Sequence, residues 1–149
     1  MKKMVLFLVF VLTLTACKKE TDIKPTPALA DKFAGSYQLN SFRFTGGGTE
    51  LDLPTLPVSG NGQSVSGAVT LVKVAGAKLA LELVIKATGA NDYKLQLENL
   101  EVKQIGAEYG LFSNNQRIAD VDGTALIFNV SETDPTTKET IAVAFVARR

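Results

Sequence analysis

Leu79-Ala80-Leu81-Glu82-Leu83-Val84-Ile85-Lys86 decides the fold. Leu79, Leu81, Leu83 and Ile85 recur at every second position, and Ala80, Glu82, Val84 and Lys86 fill the alternate ones. A period of two describes a half-buried strand with one apolar face. The alternation returns in Tyr93, Leu95 and Leu97 against Lys94, Gln96 and Glu98. Its phase then shifts, and Leu100 and Val102 take the apolar positions. A β-bulge near Asn99 accounts for the shift, and bulges bend strands in the way a barrel requires. Leu126, Phe128 and Val130 mark the next-to-last strand, and Ile141, Val143 and Phe145 the last.

Turn signals separate these runs at short intervals. They are Gly46-Gly47-Gly48, Asn61-Gly62, Ala75-Gly76-Ala77, the 88–92 stretch, Ser113-Asn114-Asn115, Asp122-Gly123 and Asp134-Pro135-Thr136. Asp122-Gly123 suits a two-residue type I′ hairpin, whose central residues both need positive φ. Strands are then expected at 35–45, 65–74, 78–87, 92–103, 107–112, 116–121, 124–132 and 138–148. Their connections are short except for 46–64. No segment carries a convincing helical period, although Pro27 to Phe33 has room for one short turn. The expected fold class is all-β: an antiparallel up-and-down barrel of about eight strands, since closure removes the edges an open sheet exposes. A two-sheet β-sandwich is the alternative.

The N-terminus predicts where the protein resides. Lys2 and Lys3 precede an apolar run from Met4 to Leu14, too short to span a bilayer as a helix and ending in small residues. Cys17, the single cysteine of the chain, follows Thr15-Ala16 directly. Leu14-Thr15-Ala16-Cys17 resembles the bacterial lipobox. That resemblance implies a lipoprotein signal peptide at 1–16 and acylation of Cys17, which becomes the first residue of the mature chain. Several acyl chains hold a protein firmly where one alone holds it weakly. Residues 17–30 then form the lipidated cysteine and a flexible tether. The tether is charged, proline-bearing and nearly free of apolar residues from Lys18 to Pro27. Lysine followed by Glu20 and Asp22 is similar to the surface-export signal of Bacteroidota lipoproteins. A generic tether facing the periplasm fits the same residues. The expected location is the cell envelope, at the outer membrane, on its periplasmic face or the cell surface.

Residues 31–149 are expected to make one domain, long enough to bury a core without disulfides or metals. The full chain has 16 basic and 15 acidic residues. Loss of the signal removes Lys2 and Lys3 and no acid, leaving 14 basic against 15 acidic. No basic excess or stripe suggests nucleic acid as a partner. Gly35-Ser36-Tyr37, after the turn around Asp31-Lys32-Phe33, resembles the Gly-x-Trp opening of lipocalins and other calycins, with Tyr37 in place of the tryptophan. Arg148 or Arg149 matches the basic residue that packs over that aromatic. The layout is similar to the small lipocalin-like lipoproteins of Bacteroidota, which implies a calycin-like barrel.

The residue inventory argues against an enzyme. Histidine is absent, so the commonest general base and metal ligand is missing. Neither a Ser-His-Asp nor a Cys-His arrangement is possible, and no cofactor or metal is expected. Asp120-x-Asp122-Gly123 begins like a calcium loop, but Ser131 stands where the closing Glu belongs. Gly46-Gly47-Gly48 lacks the Gly-Lys-Ser/Thr continuation of a phosphate loop. Glu98 and Glu101 share a face only across a bulge, and acids alternating with apolar residues are usually the wet side of a strand.

Non-covalent binding is the expected activity. An eight-stranded barrel is just wide enough to be filled by side chains or to hold one small ligand. Candidate ligand-binding residues are Phe42, Phe44, Leu81, Leu83, Tyr93, Leu95, Phe128 and Phe145, which on the other reading simply pack together. Arg43 joins them if Tyr37 and Leu39 point inward with no bulge; if Phe42 and Phe44 point inward, it is a surface charge. One reading is thus a small apolar or amphipathic ligand in the barrel. The other is a filled barrel that contacts an envelope protein or inhibits an enzyme through 46–64. There Leu51, Leu53, Leu56 and Val58 are spaced by Pro54 and Pro57.

Overall fold

The computed structural model describes residues 27–149; the signal peptide, Cys17 and most of the tether lie outside them. A short helix, α1 (Pro27–Phe33), leads into ten strands. These are β1 (Gly35–Gly46), β2 (Thr49–Leu53), β3 (Val58–Gly60), β4 (Gln63–Val74), β5 (Lys78–Ala87), β6 (Tyr93–Ile105), β7 (Glu108–Ser113), β8 (Gln116–Val121), β9 (Ala125–Thr133) and β10 (Thr140–Arg148). All neighbours pair antiparallel in the order β2-β1-β10-β9-β8-β7-β6-β5-β4-β3, and β1 also pairs with β4. That last pairing closes β1 and β4–β10 into an eight-stranded antiparallel barrel, with β2 and β3 as additions. The expectation of a barrel rather than a sandwich holds.

The alternating residues form the core. Leu79, Leu81, Leu83 and Ile85 of β5 are all buried, opposite Leu100, Leu97, Leu95 and Tyr93 of β6. The register slips between the Leu79–Leu100 and Leu81–Leu97 pairs, and Asn99 there takes φ +58. The bulge inferred from the phase shift is present. A second slip in β1, between Leu39 and Ser41, turns Tyr37 and Leu39 and also Phe42 inward. The two phases that seemed to exclude each other in the sequence are therefore both satisfied, one on each side of the bulge.

One end of the barrel is sealed. Ala30 and Phe33 of α1 are fully buried there, so the helix begins within the stretch assigned to the tether and its last turns belong to the domain. Tyr37 donates its hydroxyl to the Phe33 carbonyl oxygen at 2.9 Å. Burial pushes its phenol pKa up, against the opposing pull of the Arg149 charge. Gly35 has φ +139, and a Cβ on it would stand 2.6 Å from an Arg149 guanidinium nitrogen, so glycine is what lets that arginine close over the strand.

Two local expectations need correction. Residues 46–64 are more than a connecting loop: β2 extends the sheet from the second half of β1 and β3 from the start of β4. The 122–124 turn is not type I′, since only Gly123 there has positive φ, at +96. Instead one Asp122 carboxylate oxygen accepts from the Thr124 and Ala125 amides at 2.7 Å each and from the Thr124 hydroxyl at 2.8 Å. A side chain that mimics a turn carbonyl removes the need for a mirror-image backbone.

Candidate functional site: the barrel mouth

The sheet pairings make the two ends of the barrel differ. Near α1 the ring is closed by Gly35–Gln38 of β1 against Leu71–Ala68 of β4. Beyond that point β1 and β4 part, and β1 pairs with β2 through Phe42–Gly46 while β4 pairs with β3 through Gln63–Val65. On the far side β7 and β8 are only six residues each. They pair with β6 from Glu101 onward and with β9 no further than Phe128. The distal half of the barrel is therefore two facing wings, β9-β10-β1-β2 and β3-β4-β5-β6.

Leu56 seals one seam between the wings. It is buried among the core side chains, and its amide donates to the Asn40 carbonyl at 2.8 Å. The segment expected to project as a contact loop is thus pinned to the barrel at its midpoint. Leu51 and Val58, on either side, remain 42% and 48% exposed.

The candidate binding residues separate into three groups. Phe42, Leu81, Leu83, Phe128 and Phe145 are all but fully buried and pack in one continuous core, with the Phe128 and Phe145 rings stacked at 4.6 Å. They fill the interior. Phe44 and Leu95 are half-buried at the upper edge of that core, with Val130 and Val143. Tyr93, 42% exposed, leans across the mouth to 5.9 Å from the Phe42 ring. The expectation that Tyr93 lines an interior is corrected: its strand phase points inward, but it stands on the rim.

Arg43 faces outward, as the bulge in β1 dictates. Its side chain is 62% exposed and meets the Asp52 carboxylate at 2.7 Å. The hydrogen bond and charge of Asp52 raise its pKa still further. It is not positioned to meet anything inside the barrel.

A cavity of about 530 Å³ opens at the mouth beneath the 134–139 loop. Val130, Ile141 and Val143 line it together with Glu132 and Glu139. Ile141 packs over Gly46, 3.1 Å from where a Cβ would stand, so the glycine lets β10 lie close against the end of β1. The loop above is held by Asp134, whose carboxylate accepts from the Thr136 and Thr137 amides at 2.6 and 2.9 Å and has its pKa lowered by them. Ile141 and this acidic rim were not among the sequence candidates. Alternation gives Ile141 its inward phase, but nothing local shows that the 134–139 loop folds over it. No known protein family, curated protein or solved structure matches this chain.

Proposed function

We propose that the protein is an envelope-anchored lipoprotein that binds a small apolar or amphipathic molecule non-covalently at the mouth of its barrel. The observation that supports this is the contrast between the two ends. The α1 end is filled and sealed, whereas the mouth leaves Tyr93, Phe44, Val143 and Ile141 partly uncovered, and Val143 and Ile141 line a cavity of about 530 Å³ there. Cavities of several hundred Å³ with apolar walls and a few polar groups are the usual form of small-ligand sites. Carboxylates at the rim favour a ligand with an uncharged or cationic polar end, which stays in water while its apolar part reaches Val130 and Val143.

Anchoring rests on Leu14-Thr15-Ala16-Cys17, with lipid on Cys17 as the membrane attachment. The second reading, contact with an envelope protein, is favoured by exposed Leu51 and Val58 on β2 and β3. Native mass spectrometry of the purified protein separates the two. A co-purifying small molecule, lost on changing Tyr93 or Ile141, supports the first. Retention of a protein partner that depends on Leu51 and Val58 replaces it with the second.

A further inference from the structure

The mouth cavity has a floor, and three cross-strand rungs on the inner face of β9 and β10 lead down to it. Glu132 pairs with Ile141, Val130 with Val143, and Phe128 with Phe145. Burial deepens from rung to rung. Ile141 is 51% exposed, the two valines are half-buried, and the phenyl rings, stacked at 4.6 Å, are 3% and 2% exposed. Alternate residues of an antiparallel strand lie about 7 Å apart, so the stack stands roughly 14 Å along the strands below the outermost rung. Phe42, Leu81 and Leu83 pack in the same core behind it. A bound chain that passes the valines therefore meets packed rings, and any longer part is left at the rim.

The outermost rung carries the polar group. Glu132 is in phase with Phe128 and Val130, on the face where alternation otherwise places apolar residues. Glu139 joins it from the 134–139 loop, and both line the cavity. One Glu139 carboxylate oxygen lies 3.8 Å from where a Cβ on Gly47 would stand, at the turn after β1. Neither glutamate is in an ion pair among the described residues. The third carboxylate of the lining, Asp134, is turned to the Thr136 and Thr137 amides of its own loop. Lys138, on that loop, is not part of the lining, and Lys94 pairs with Val84 on the outward face of β6. The cavity thus has two carboxylates at its top, apolar walls below them and a closed bottom.

We propose that the mouth selects a short unbranched primary amine, with Glu132 and Glu139 receiving its ammonium group and the Phe128–Phe145 stack limiting its length. The inference rests on the reading of the mouth as a small-ligand site and narrows it from amphiphiles in general to one head group and one range of tail. The ammonium donates to the carboxylates at the water's edge, and the tail lies along Val130 and Val143. The same features reject the alternatives: the filled floor excludes long-chain lipids, and like charge excludes carboxylic acids.

The test is calorimetric titration of the purified protein with butylamine, hexylamine, octylamine and dodecylamine near neutral pH, with octanol and octanoate as head-group controls. Affinity should rise from butylamine to octylamine, by up to roughly fourfold for each methylene fully buried. It should gain little from octylamine to dodecylamine. Octylamine should bind about two- to fivefold more tightly than octanol, the scale of an exposed ion pair, and octanoate more weakly than either. The Glu132→Gln, Glu139→Gln double variant should bind octylamine and octanol alike. Val143→Phe, which fills the middle rung, should flatten the dependence on length. Amide chemical shifts away from the mouth check that both variants keep the fold, and the length series on the parent needs neither. A gain that ends at butylamine, the reach of a lysine side chain, or that continues undiminished to dodecylamine would overturn the proposal. If the parent binds octanol as well as octylamine, this inference fails while the mouth-ligand reading stands. If neither the amines, octanol nor a neutral apolar dye binds, both fail.

Discussion

Arg149 stands over the Tyr37 ring, its guanidinium carbon 4.6 Å from the ring centroid, and donates to the carbonyl oxygens of Phe33 and Ala34. One side chain at the end of β10 thereby ties the first strand and α1 to the last strand, at the sealed end. It is the arrangement that Gly35-Ser36-Tyr37 and a terminal arginine led one to expect. Arg149→Ala should lower stability by about 1–3 kcal/mol, the usual range for charged hydrogen bonds to backbone together with a cation–π contact. Arg149→Lys should recover only part, because an ammonium lacks the planar fork. Denaturant midpoints of the three proteins check this, and equal midpoints would mean that the contact is decorative.

The strap between β2 and β3 offers a sharper contrast. Leu56 is 3% exposed, whereas Leu51 is 42% exposed. Leu56→Ala should cost about 2–4 kcal/mol, as truncation of a buried leucine does. Leu51→Ala should stay within about 0.5 kcal/mol. Excision of 51–58 should then destabilise the domain, where a simple surface loop would tolerate it. Thermal unfolding of the three variants measures the difference.

Acid stability should depend on the 122–125 turn. Hydrogen bonds from Ala125 and then Thr124 hold the Asp122 carboxyl below its usual pKa of 3.8. A carboxylate with a depressed folded pKa gives its full stabilisation above the unfolded value. That contribution falls away below about pH 4 and is gone once the pH has passed the folded value. Asp122→Ala should therefore be less stable than the parent at neutral pH and should lose less on acidification. Urea midpoints measured down through that range test it; parallel curves would refute the assignment. The carboxylate is largely exposed, so the effect is modest.

The strands were largely legible in the sequence, and the architecture of the mouth was not. Expected bounds of 78–87 and 116–121 coincide with β5 and β8, because each carries its own alternation and its own turn signals. β2 and β3 escaped notice because Pro54 and Pro57 interrupt the pattern and because these strands owe their existence to the free edges of β1 and β4. Tyr93 shows the limit of phase reasoning. Alternation fixes the face on which a side chain stands, but burial also depends on depth, and only the assembled barrel sets how far β6 rises above β7. The bulge at Asn99 was readable from a break in apolar phase. The one at Asn40 produced two competing phases for Arg43, with no local clue that both were correct.

Anchoring makes a clean prediction, although Cys17 lies outside the described residues. Cys17→Ser should move the protein from the membrane fraction to the soluble fraction and block maturation, since serine has no thiol to acylate. Fractionation and intact mass decide it. A variant that is still processed at the same place and still sediments with membranes would remove lipidation from the account.

The mouth itself is best probed at Tyr93. Its ring contacts Phe42 yet is 42% exposed, so it belongs to the proposed binding surface more than to the core. Tyr93→Ala should weaken capture of a neutral apolar dye such as Nile red. An aromatic contact worth about 0.5–1.5 kcal/mol corresponds to a roughly two- to twelvefold rise in Kd. Tyr93→Phe should retain most of the affinity, because the ring and not the hydroxyl faces Phe42. Arg43→Ala should leave dye binding unchanged, since Arg43 points away from the mouth toward Asp52. Fluorescence titration of the variants gives the comparison. Dye binding that ignores Tyr93 but disappears with Ile127→Ser, on the outer face, would place capture on the outside of the sheet and not in the mouth.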